Sequence, residues 1–218
     1  MIWDNAFAIS ILPDLLRGLV TTVQITVAGM AIAAVLGLVV AVFRYLRIPV
    51  LSQILGFLVY FVRGTPLLVQ AFFVFYVLPE YGIAMSALVT GIIVIGVNYS
   101  AYTAEVYRSG IEGVPVGQWE ASTALNLPRG RTWIRIVLPQ AVRRVVPLLG
   151  NYLIQMFKDS AILSAITVYE LMSVAKAIGQ SEFRYIEPFT IAALLFLIVS
   201  VPCTLVLRRL ETRYGTVH

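Results

Sequence analysis

Long apolar stretches alternate along this chain with short polar segments rich in arginine. Five stretches approach the length of about 20 apolar residues that a helix needs to cross a bilayer. They cover residues 19–43, 55–78, 84–107, 147–168 and 188–207. The second is interrupted by Arg-Gly-Thr-Pro at residues 63–66, and the fourth carries Lys158 and Asp159. The pattern predicts an all-α integral membrane protein with five transmembrane helices.

The composition supports a membrane protein and excludes several kinds of site. Apolar residues make up 60% of the 218 positions and charged residues 12%, whereas soluble chains are about half apolar and a quarter charged. The single cysteine, Cys203, excludes an intrachain disulfide and argues against a cysteine metal cluster. The single histidine is His218, which argues against histidine catalysis. We therefore expect no metal site and no catalytic residue in the chain.

The basic residues indicate how the chain is oriented. Eleven of the 16 lysines and arginines follow span 1, lie between spans 3 and 4, or follow span 5, against three on the opposite side. Because basic loops stay cytoplasmic, the N-terminus is predicted outside and the C-terminus inside. The net charge of +5 then reflects topology and not nucleic-acid binding. Residues 1–18 are expected to form an interfacial segment, or alternatively a disordered start, and residues 208–218 a cytoplasmic tail.

The cytoplasmic loop at about residues 108–146 contains a compact polar segment, Glu-Ala-Ser-Thr-Ala-Leu-Asn-Leu-Pro-Arg-Gly, starting at Glu120. A short helix is predicted over 119–125, ended by Asn126 in the left-handed conformation. Thr132 is predicted to cap a second helix that runs towards Pro139 and carries Arg131 and Arg135 on one face. On the residues alone, an ordinary basic loop with interfacial helices is the favoured interpretation of the segment.

The spacing of this segment resembles the EAA loop of ABC importer permeases. That motif reads Glu-Ala-Ala, three residues, Gly, nine residues, Ile-x-Leu-Pro, and here Glu120 begins it and Pro139 ends it. Ser122 replaces the second Ala and Asn126 replaces the Gly, and asparagine tolerates a positive φ. Residues 61–70, 101–121 and 156–171 are similar to the polar-amino-acid permeases for histidine, glutamine, glutamate, arginine and opines. Within that subfamily the chain most resembles the ectoine and hydroxyectoine permeases.

The resemblance covers nearly the whole chain and implies a MetI-like permease fold. It implies that the EAA loop docks in a cleft of a cytoplasmic ATPase dimer and carries its motion to the spans. Glu120 is then the expected ionic contact, and each arginine alone would equally suit a lipid phosphate. The implied ATPase-coupling residues are Glu120, Ala121, Asn126, Arg129, Arg131, Arg135, Leu138 and Pro139.

The same resemblance implies partners and a location. The expected partners are the ATPase dimer, a second permease subunit that is a different or an identical chain, an extracytoplasmic binding protein and membrane lipid. The chain has no G-x-x-x-x-G-K-[ST] motif, so ATP and Mg²⁺ are expected on the ATPase and no cofactor on this chain. The expected location is the plasma (inner) membrane of a bacterium, as a multi-pass protein that imports a polar amino acid or an ectoine.

Polar residues inside predicted spans are costly and usually face a bundle interior or a water-filled path. The substrate-pathway candidates are Arg63, Asn98, Tyr102, Glu105, Lys158 and Asp159. Three of them, Asn98, Tyr102 and Glu105, recur at helical spacing and predict one polar stripe. The stripe lines the pathway or packs on the second subunit. Arg63 alternatively extends to the cytoplasm, and Lys158 or Asp159 alternatively neutralises Arg63 or Glu105.

Two other classes of protein are weighed against an importer subunit. An ATP-independent carrier or channel for small zwitterions would leave the EAA spacing a coincidence. An intramembrane enzyme is disfavoured because the chain contains no G-x-S-x-G and no H-E-x-x-H motif. The outside segments at 79–83 and 169–187 are expected to be short loops, too small for a receptor domain.

Overall fold

A computed structural model describes the backbone of residues 3–214 and the side chains of residues 3–209. His218, which the sequence analysis named, and the last residues of the predicted tail lie outside this range. The described chain is entirely helical. Its α-helices are α1 (Asn5–Tyr45), α2 (Leu51–Gly64), α3 (Leu67–Phe72), α4 (Ala87–Glu112), α5 (Val116–Ala124), α6 (Arg129–Thr132), α7 (Leu138–Asp159), α8 (Leu171–Ser181) and α9 (Ile186–Tyr214). π-helical turns (Phe73–Val77, Trp133–Val137) and 3₁₀ turns (Leu78–Tyr81, Ser160–Ile166) connect several of them.

Three helices, α1, α4 and α9, are individually long and apolar enough to cross a membrane. Two further candidates are bent pairs: α2 with Leu67–Tyr81, bent by 103°, and Arg129–Ile166 with α8, bent by 46°. The described residues therefore provide three to five candidate spans. The count of five and the direction of the chain remain predictions.

Helix α1 is continuous where the sequence suggested a boundary at residue 18. Asp4 caps it, because the Asp4 carboxylate accepts hydrogen bonds from the N–H groups of Ala6 and Phe7. Pro13 lies inside the helix without ending it, since Ile11 and Leu15 are buried against α8 and α9 and hold the early turns in place. At 41 residues the helix is about 60 Å long, twice the roughly 30 Å of a bilayer core.

The predicted interruption of the second span is a sharp break between α2 and α3. Thr65 is extended, with φ −104° and ψ 137°, as expected for a residue that precedes proline. The Gln70 side-chain amide donates to the Val62 carbonyl at 2.8 Å and to the Thr65 hydroxyl at 2.6 Å. These bonds satisfy polar groups that the break leaves without helical partners.

The expected outside loop at 169–187 is wrong, because its centre is the helix α8. The buried carboxylate of Glu170 accepts hydrogen bonds from the N–H groups of Met172 and Ser173 and thereby caps this helix. Thr22 on α1 donates to the same carboxylate at 3.4 Å. Helix α8 is thus fixed to α1 and does not form a free loop.

Close contact between α1 and α4 forms the centre of the fold. A side chain at Gly29 would bring its Cβ within 2.7 Å of a methyl group of Ile95, so glycine permits this approach. Thr103 donates to the Ala33 carbonyl at 2.6 Å across the same interface. The core around Ile25 and Ile95 extends to Met156 on α7. This packing fixes the face of α4 that carries Asn98 and Tyr102.

Candidate functional site

A cavity of about 470 Å³ lies between the α2–α3 break, α4 and the end of α7. Four of the six pathway candidates line it: Arg63, Asn98, Tyr102 and Asp159. The remaining lining residues are Gly64, Thr65, Pro66, Leu67, Tyr99, Tyr152 and Gln155. The break predicted from Arg-Gly-Thr-Pro therefore forms one wall of a polar cavity, as broken helices do in transporters.

The carboxylate of Asp159 is held by Tyr99. The Tyr99 hydroxyl donates to Asp159 at 2.6 Å, and Tyr99 is buried at 2% exposure. The sequence analysis did not single out Tyr99, although it directly follows Asn98. This short hydrogen bond fixes the direction of the Asp159 side chain within the cavity.

Three tyrosines form an aromatic wall beside this acid. The ring centroids of Tyr99, Tyr102 and Tyr152 lie 5.6–6.1 Å apart pairwise. The Arg63 guanidinium lies over the Tyr102 ring, 5.2 Å from its centroid. The cavity thus contains one cation, one carboxylate and an electron-rich aromatic surface, a combination that suits a small zwitterion.

Asn98 connects α4 to the helix break. Its amide donates to the Gln70 side-chain oxygen at 3.2 Å, and Gln70 in turn bonds Thr65 and Val62 across the break. Gln70 was missed by the sequence analysis, although a glutamine four residues after a proline break in an apolar run was a usable signal. The side-chain amides of Asn98 and Gln70 thus connect the backbone of the break to α4 through consecutive hydrogen bonds.

Glu105 does not line the cavity, although Asn98 and Tyr102, the other two residues of the predicted polar stripe, do. It pairs with Arg44 at the end of α1 and with Arg108, whose guanidinium lies 2.7 Å from the Glu105 carboxylate. Arg108 also pairs with Glu112 at 2.6 Å. Arginines on α1 and α4 therefore neutralise Glu105, in place of the predicted Lys158.

Lys158 is exposed and borders a different pocket, about 340 Å³ in volume, between α7, α8 and α9. Met172, Phe189 and Phe196 line that pocket. Adjacent residues point about 100° apart on a helix, so Lys158 and Asp159 face different surroundings. Among the described side chains Lys158 forms no ion pair with Glu105, which binds arginines instead. Asp159 and Arg63 line the same cavity but are not in salt-bridge contact.

The helix-turn arrangement predicted for the EAA-like segment is confirmed in its first half. Asn126 has φ 52°, the left-handed conformation expected there. The Leu127 N–H donates to the Ser122 carbonyl at 3.0 Å and the Asn126 N–H to the Thr123 carbonyl at 2.9 Å, the pairing that closes a helix on a left-handed residue. The buried Ser122 hydroxyl donates to the Gln118 carbonyl, so a serine fits at this motif position.

The second half of the segment differs from the prediction. Its helix begins at Arg129 after Pro128, so Thr132 is not the cap. It also does not end at Pro139, but continues through the wide turn Trp133–Val137 into α7. In that turn the Leu138 N–H bonds the Trp133 carbonyl five residues back, and this wider spacing accommodates the proline ring that follows.

An aromatic cluster fixes the segment to α1. Trp133 packs edge-on against Trp119 of α5 and against Tyr45 of α1, with centroids 5.3 and 5.2 Å apart. All eight predicted coupling residues are exposed: Glu120, Ala121, Asn126, Arg129, Arg131, Arg135, Leu138 and Pro139. The segment is a rigid projection with a polar outer surface.

Comparison with known proteins identifies one matching family model and similar proteins from two bacteria. Residues 33–216 match the family model described as "Binding-protein-dependent transport system inner membrane component". The "Probable amino-acid ABC transporter permease protein y4tG" of Sinorhizobium fredii is 46% identical over 211 residues, covering 94% of this chain and 91% of that protein. The "Probable glutamine ABC transporter permease protein GlnP" of Bacillus subtilis is 36% identical, covering 90% and 91%.

A solved structure resembles the whole chain. The "Crystal structure of an amino acid ABC transporter with histidines" contains a chain that is 31% identical, with a TM-score of 0.93. The match covers 98% of this chain and 100% of that one. The helix break, the long α1 and the bent α7–α8 unit thus belong to a fold that an amino-acid transporter also uses.

Proposed function

The chain belongs to the family of binding-protein-dependent transport system inner membrane components, as the permease subunit of an amino-acid ABC importer, and we propose that its cavity carries a zwitterionic polar amino acid. One observation carries this proposal: Arg63 and Asp159 line the same cavity. The guanidinium offers paired donors to a substrate carboxylate. The Asp159 carboxylate offers acceptors to a substrate ammonium group. A site with one charge of each sign selects zwitterions over molecules with a net charge.

The exposed EAA-like segment is proposed as the docking site of the ATPase, with Glu120 as the ionic contact. Residues 129–166 form one uninterrupted helical stretch. That stretch starts in the docking segment and carries Tyr152, Gln155 and Asp159 into the cavity. A shift of the docking segment therefore moves one wall of the cavity as a rigid body, which is what alternating access requires.

The rest of the assembly follows from the same proposal. The permease has five spans, with the N-terminus outside and the C-terminus in the cytoplasm of a bacterial cell bounded by its plasma (inner) membrane. Residues 1–18 lie at the outer interface, and residues 208–218 form the tail. An ATPase dimer binds ATP and Mg²⁺, a second permease subunit completes the pathway, and an extracytoplasmic binding protein delivers the substrate. This chain itself is non-catalytic.

Ectoine and hydroxyectoine are a second substrate class for this cavity. Each combines a carboxylate with a delocalised amidinium, and the rings of Tyr99, Tyr102 and Tyr152 suit a delocalised cation. The two relatives described above are named for amino acids, so amino acids come first. Uptake of labelled glutamine, histidine, arginine, ectoine and hydroxyectoine, with the ATPase and binding protein present, separates the two classes.

The proposal is tested by neutralising the cavity charges one at a time. In cells that contain the complete transporter, Arg63→Gln and Asp159→Asn are each expected to lower uptake at least tenfold, the equivalent of about 1.4 kcal/mol. Lys158→Gln, one residue from Asp159 but outside the cavity, is expected to have a much smaller effect. Equal losses for Lys158 and Asp159 would contradict the cavity assignment, and uptake that persists without the ATPase would indicate an ATP-independent carrier.

A further inference from the structure

The Gln70 side chain at the α2–α3 break is held by hydrogen bonds at both ends of its amide, although it does not line the polar cavity. The amide nitrogen donates to the Val62 carbonyl at 2.8 Å, to the Thr65 carbonyl at 3.2 Å and to the Thr65 hydroxyl at 2.6 Å. The amide oxygen accepts from the Asn98 amide nitrogen at 3.2 Å. Gln70 therefore bonds the backbone of the break with its nitrogen and α4 with its oxygen.

The backbone of the break decides which way the Gln70 amide points. In an uninterrupted helix the Val62 carbonyl would accept from residue 66, but Pro66 has no N–H. The Gln70 nitrogen supplies the missing donor. If the nitrogen and oxygen of this amide changed places, the oxygen would face the Val62 and Thr65 carbonyls, which are acceptors only. The Gln70 oxygen is therefore held towards Asn98.

Gln70 in turn orients the amide of Asn98. Only the NH₂ group of Asn98 can donate to the Gln70 oxygen, so the Asn98 carbonyl oxygen is turned away from Gln70. Within the part of the chain that the structure describes, every buried side-chain nitrogen or oxygen has a hydrogen-bond partner. The Asn98 oxygen accepts no hydrogen bond there and so must reach open space. Asn98 is only 5% exposed and lines the cavity, so that space is the cavity.

We propose that Gln70 is a positioning residue for transport, because it holds the Asn98 carbonyl oxygen towards the cavity as an acceptor for an N–H group of the substrate. This inference rests on the proposed function of the cavity. A substrate ammonium group has three N–H donors, and the Asn98 oxygen adds an acceptor to the Asp159 carboxylate in the same cavity without adding a second negative charge. Without Gln70 the Asn98 amide could rotate and present its NH₂ group, which repels such a donor.

Direct binding to the purified transporter tests this role. The transporter contains the ATPase and both permease subunits but no binding protein, and the probes are labelled glutamine, histidine, arginine, ectoine and hydroxyectoine. For the probe that binds most tightly, Gln70→Leu is expected to raise the Kd about fivefold, the effect of losing one hydrogen bond. Asn98→Ala should raise it at least as much. If Gln70 acts through Asn98, the double variant should bind no more weakly than Asn98→Ala alone, and effects that multiply would overturn the proposal.

Gln70→Glu separates the orientation of Asn98 from support of the break. Glutamate still presents an oxygen to the Asn98 NH₂ group, but it lacks the NH₂ group that bonds the break. This variant should therefore melt at a lower temperature and yet keep the Kd within about twofold of the unmodified value. A Kd raised as much as in Asn98→Ala would show that Gln70 only supports the break, which overturns the proposal even if Gln70→Leu does not assemble.

Gln53→Leu is the matched control, since it makes the same chemical change at an exposed position of α2 outside the cavity. Its Kd and its melting temperature should both equal those of the unmodified transporter. A Kd raised equally in Gln53→Leu and Gln70→Leu would show that the effect is not specific to the break, and this result would also overturn the proposal.

The same binding measurement separates a failure of this inference from a failure of the proposed function. Arg63→Gln and Asp159→Asn are measured beside Gln70→Leu. If the two charge variants bind weakly and Gln70→Leu binds normally, the role of Gln70 is wrong and the cavity assignment stands. If both charge variants bind normally, or if none of the five probes binds, the cavity assignment itself is wrong and the role of Gln70 falls with it.

Discussion

The Tyr99 hydroxyl donates a 2.6 Å hydrogen bond to the Asp159 carboxylate across the polar cavity. Tyr99 belongs to α4, which is packed firmly on α1, whereas Asp159 is the last residue of α7, within the helical stretch 129–166 that begins in the docking segment. In the proposed transport cycle, the bond therefore joins the wall on α4 to the wall that would move with the docking segment. In the same proposal, the bond orients the Asp159 carboxylate towards a substrate ammonium group.

Tyr99→Phe is expected to raise the KM for uptake about tenfold with little change in the amount of assembled transporter. The substitution keeps the ring and removes the donor, and a hydrogen bond to a charged group contributes about 1.5–3 kcal/mol. Concentration-dependent uptake in cells measures the KM. Tyr107→Phe, also on α4 but outside the cavity, is the control and should resemble the unmodified protein. An unchanged KM in Tyr99→Phe would show that the Tyr99–Asp159 hydrogen bond does not contribute to substrate binding.

Glu105→Gln is expected to destabilise the transporter without changing uptake per assembled molecule. Glu105 bonds arginines on both α1 and α4, and its side chain is 21% exposed. Loss of the acid leaves Arg44 without this partner at a cost of about 1–3 kcal/mol. Thermal melting of the purified transporter measures the change.

Glu112→Gln is the natural comparison for that variant. Its side chain is 57% exposed and pairs with Arg108, so its loss should cost only about 0–1 kcal/mol. If Glu105→Gln melts normally and yet loses uptake, Glu105 acts in the pathway, as its place in the predicted stripe suggested.

Local signals explain how much of the fold the sequence predicts. Arg-Gly-Thr-Pro predicts the break after Gly64, and Asn126 predicts the left-handed end of α5, because both depend on backbone preferences of a few residues. The continuity of α1 through Pro13 depends on burial against α8 and α9, which no local pattern contains. The sequence analysis also missed helix α8. This helix is short and amphipathic and lies in a polar segment, so its sequence resembles that of a loop.

Some residues of the candidate site can likewise be predicted from local sequence patterns, whereas others depend on the tertiary fold. Helical periodicity brings Asn98 and Tyr102 to one cavity wall, and the polar character of the break brings Arg63. Periodicity fails for Glu105 because its partner Arg44 is 61 residues away and pulls the carboxylate to another face. The pairing of Tyr99 with Asp159, 60 residues apart, is equally a property of the tertiary fold.

Asn126→Val is expected to impair coupling between ATP hydrolysis and uptake. The position has φ 52°, and a β-branched residue in the left-handed region costs about 1–2 kcal/mol. The turn that orients Glu120 and Arg129 would shift, so uptake should fall while the isolated ATPase activity remains. Asn126→Gly should behave like the unmodified protein.

Leu125→Val controls for β-branching in that experiment, because Leu125 is exposed and has a negative φ of −81°. The measurement is uptake per ATP hydrolysed by the transporter reconstituted with its ATPase and binding protein. Equal coupling in Asn126→Val and Leu125→Val would show that the left-handed turn is unimportant for docking.

Asp4 is expected to make the stability of the fold depend on pH. The Phe7 N–H and then the Arg184 guanidinium hold the pKa of the Asp4 carboxyl below its usual value, and Arg184 also bonds Glu187. Because the folded pKa is lowered, the ionised acid stabilises the fold above the unfolded pKa of about 3.9, and this contribution disappears as the pH falls through the folded value. The melting temperatures of the unmodified protein and of Asp4→Asn should therefore differ at about pH 6 and converge as the pH falls through the folded pKa of Asp4. Asparagine still caps a helix, so the difference isolates the charge.

Asp14→Asn, which removes an exposed acid paired with Arg17 on the same helix, should show a smaller difference at both ends of the range. A gap between Asp4→Asn and the unmodified protein that does not narrow as the pH falls below the unfolded pKa of about 3.9 would contradict this role for the Asp4–Arg184 contact.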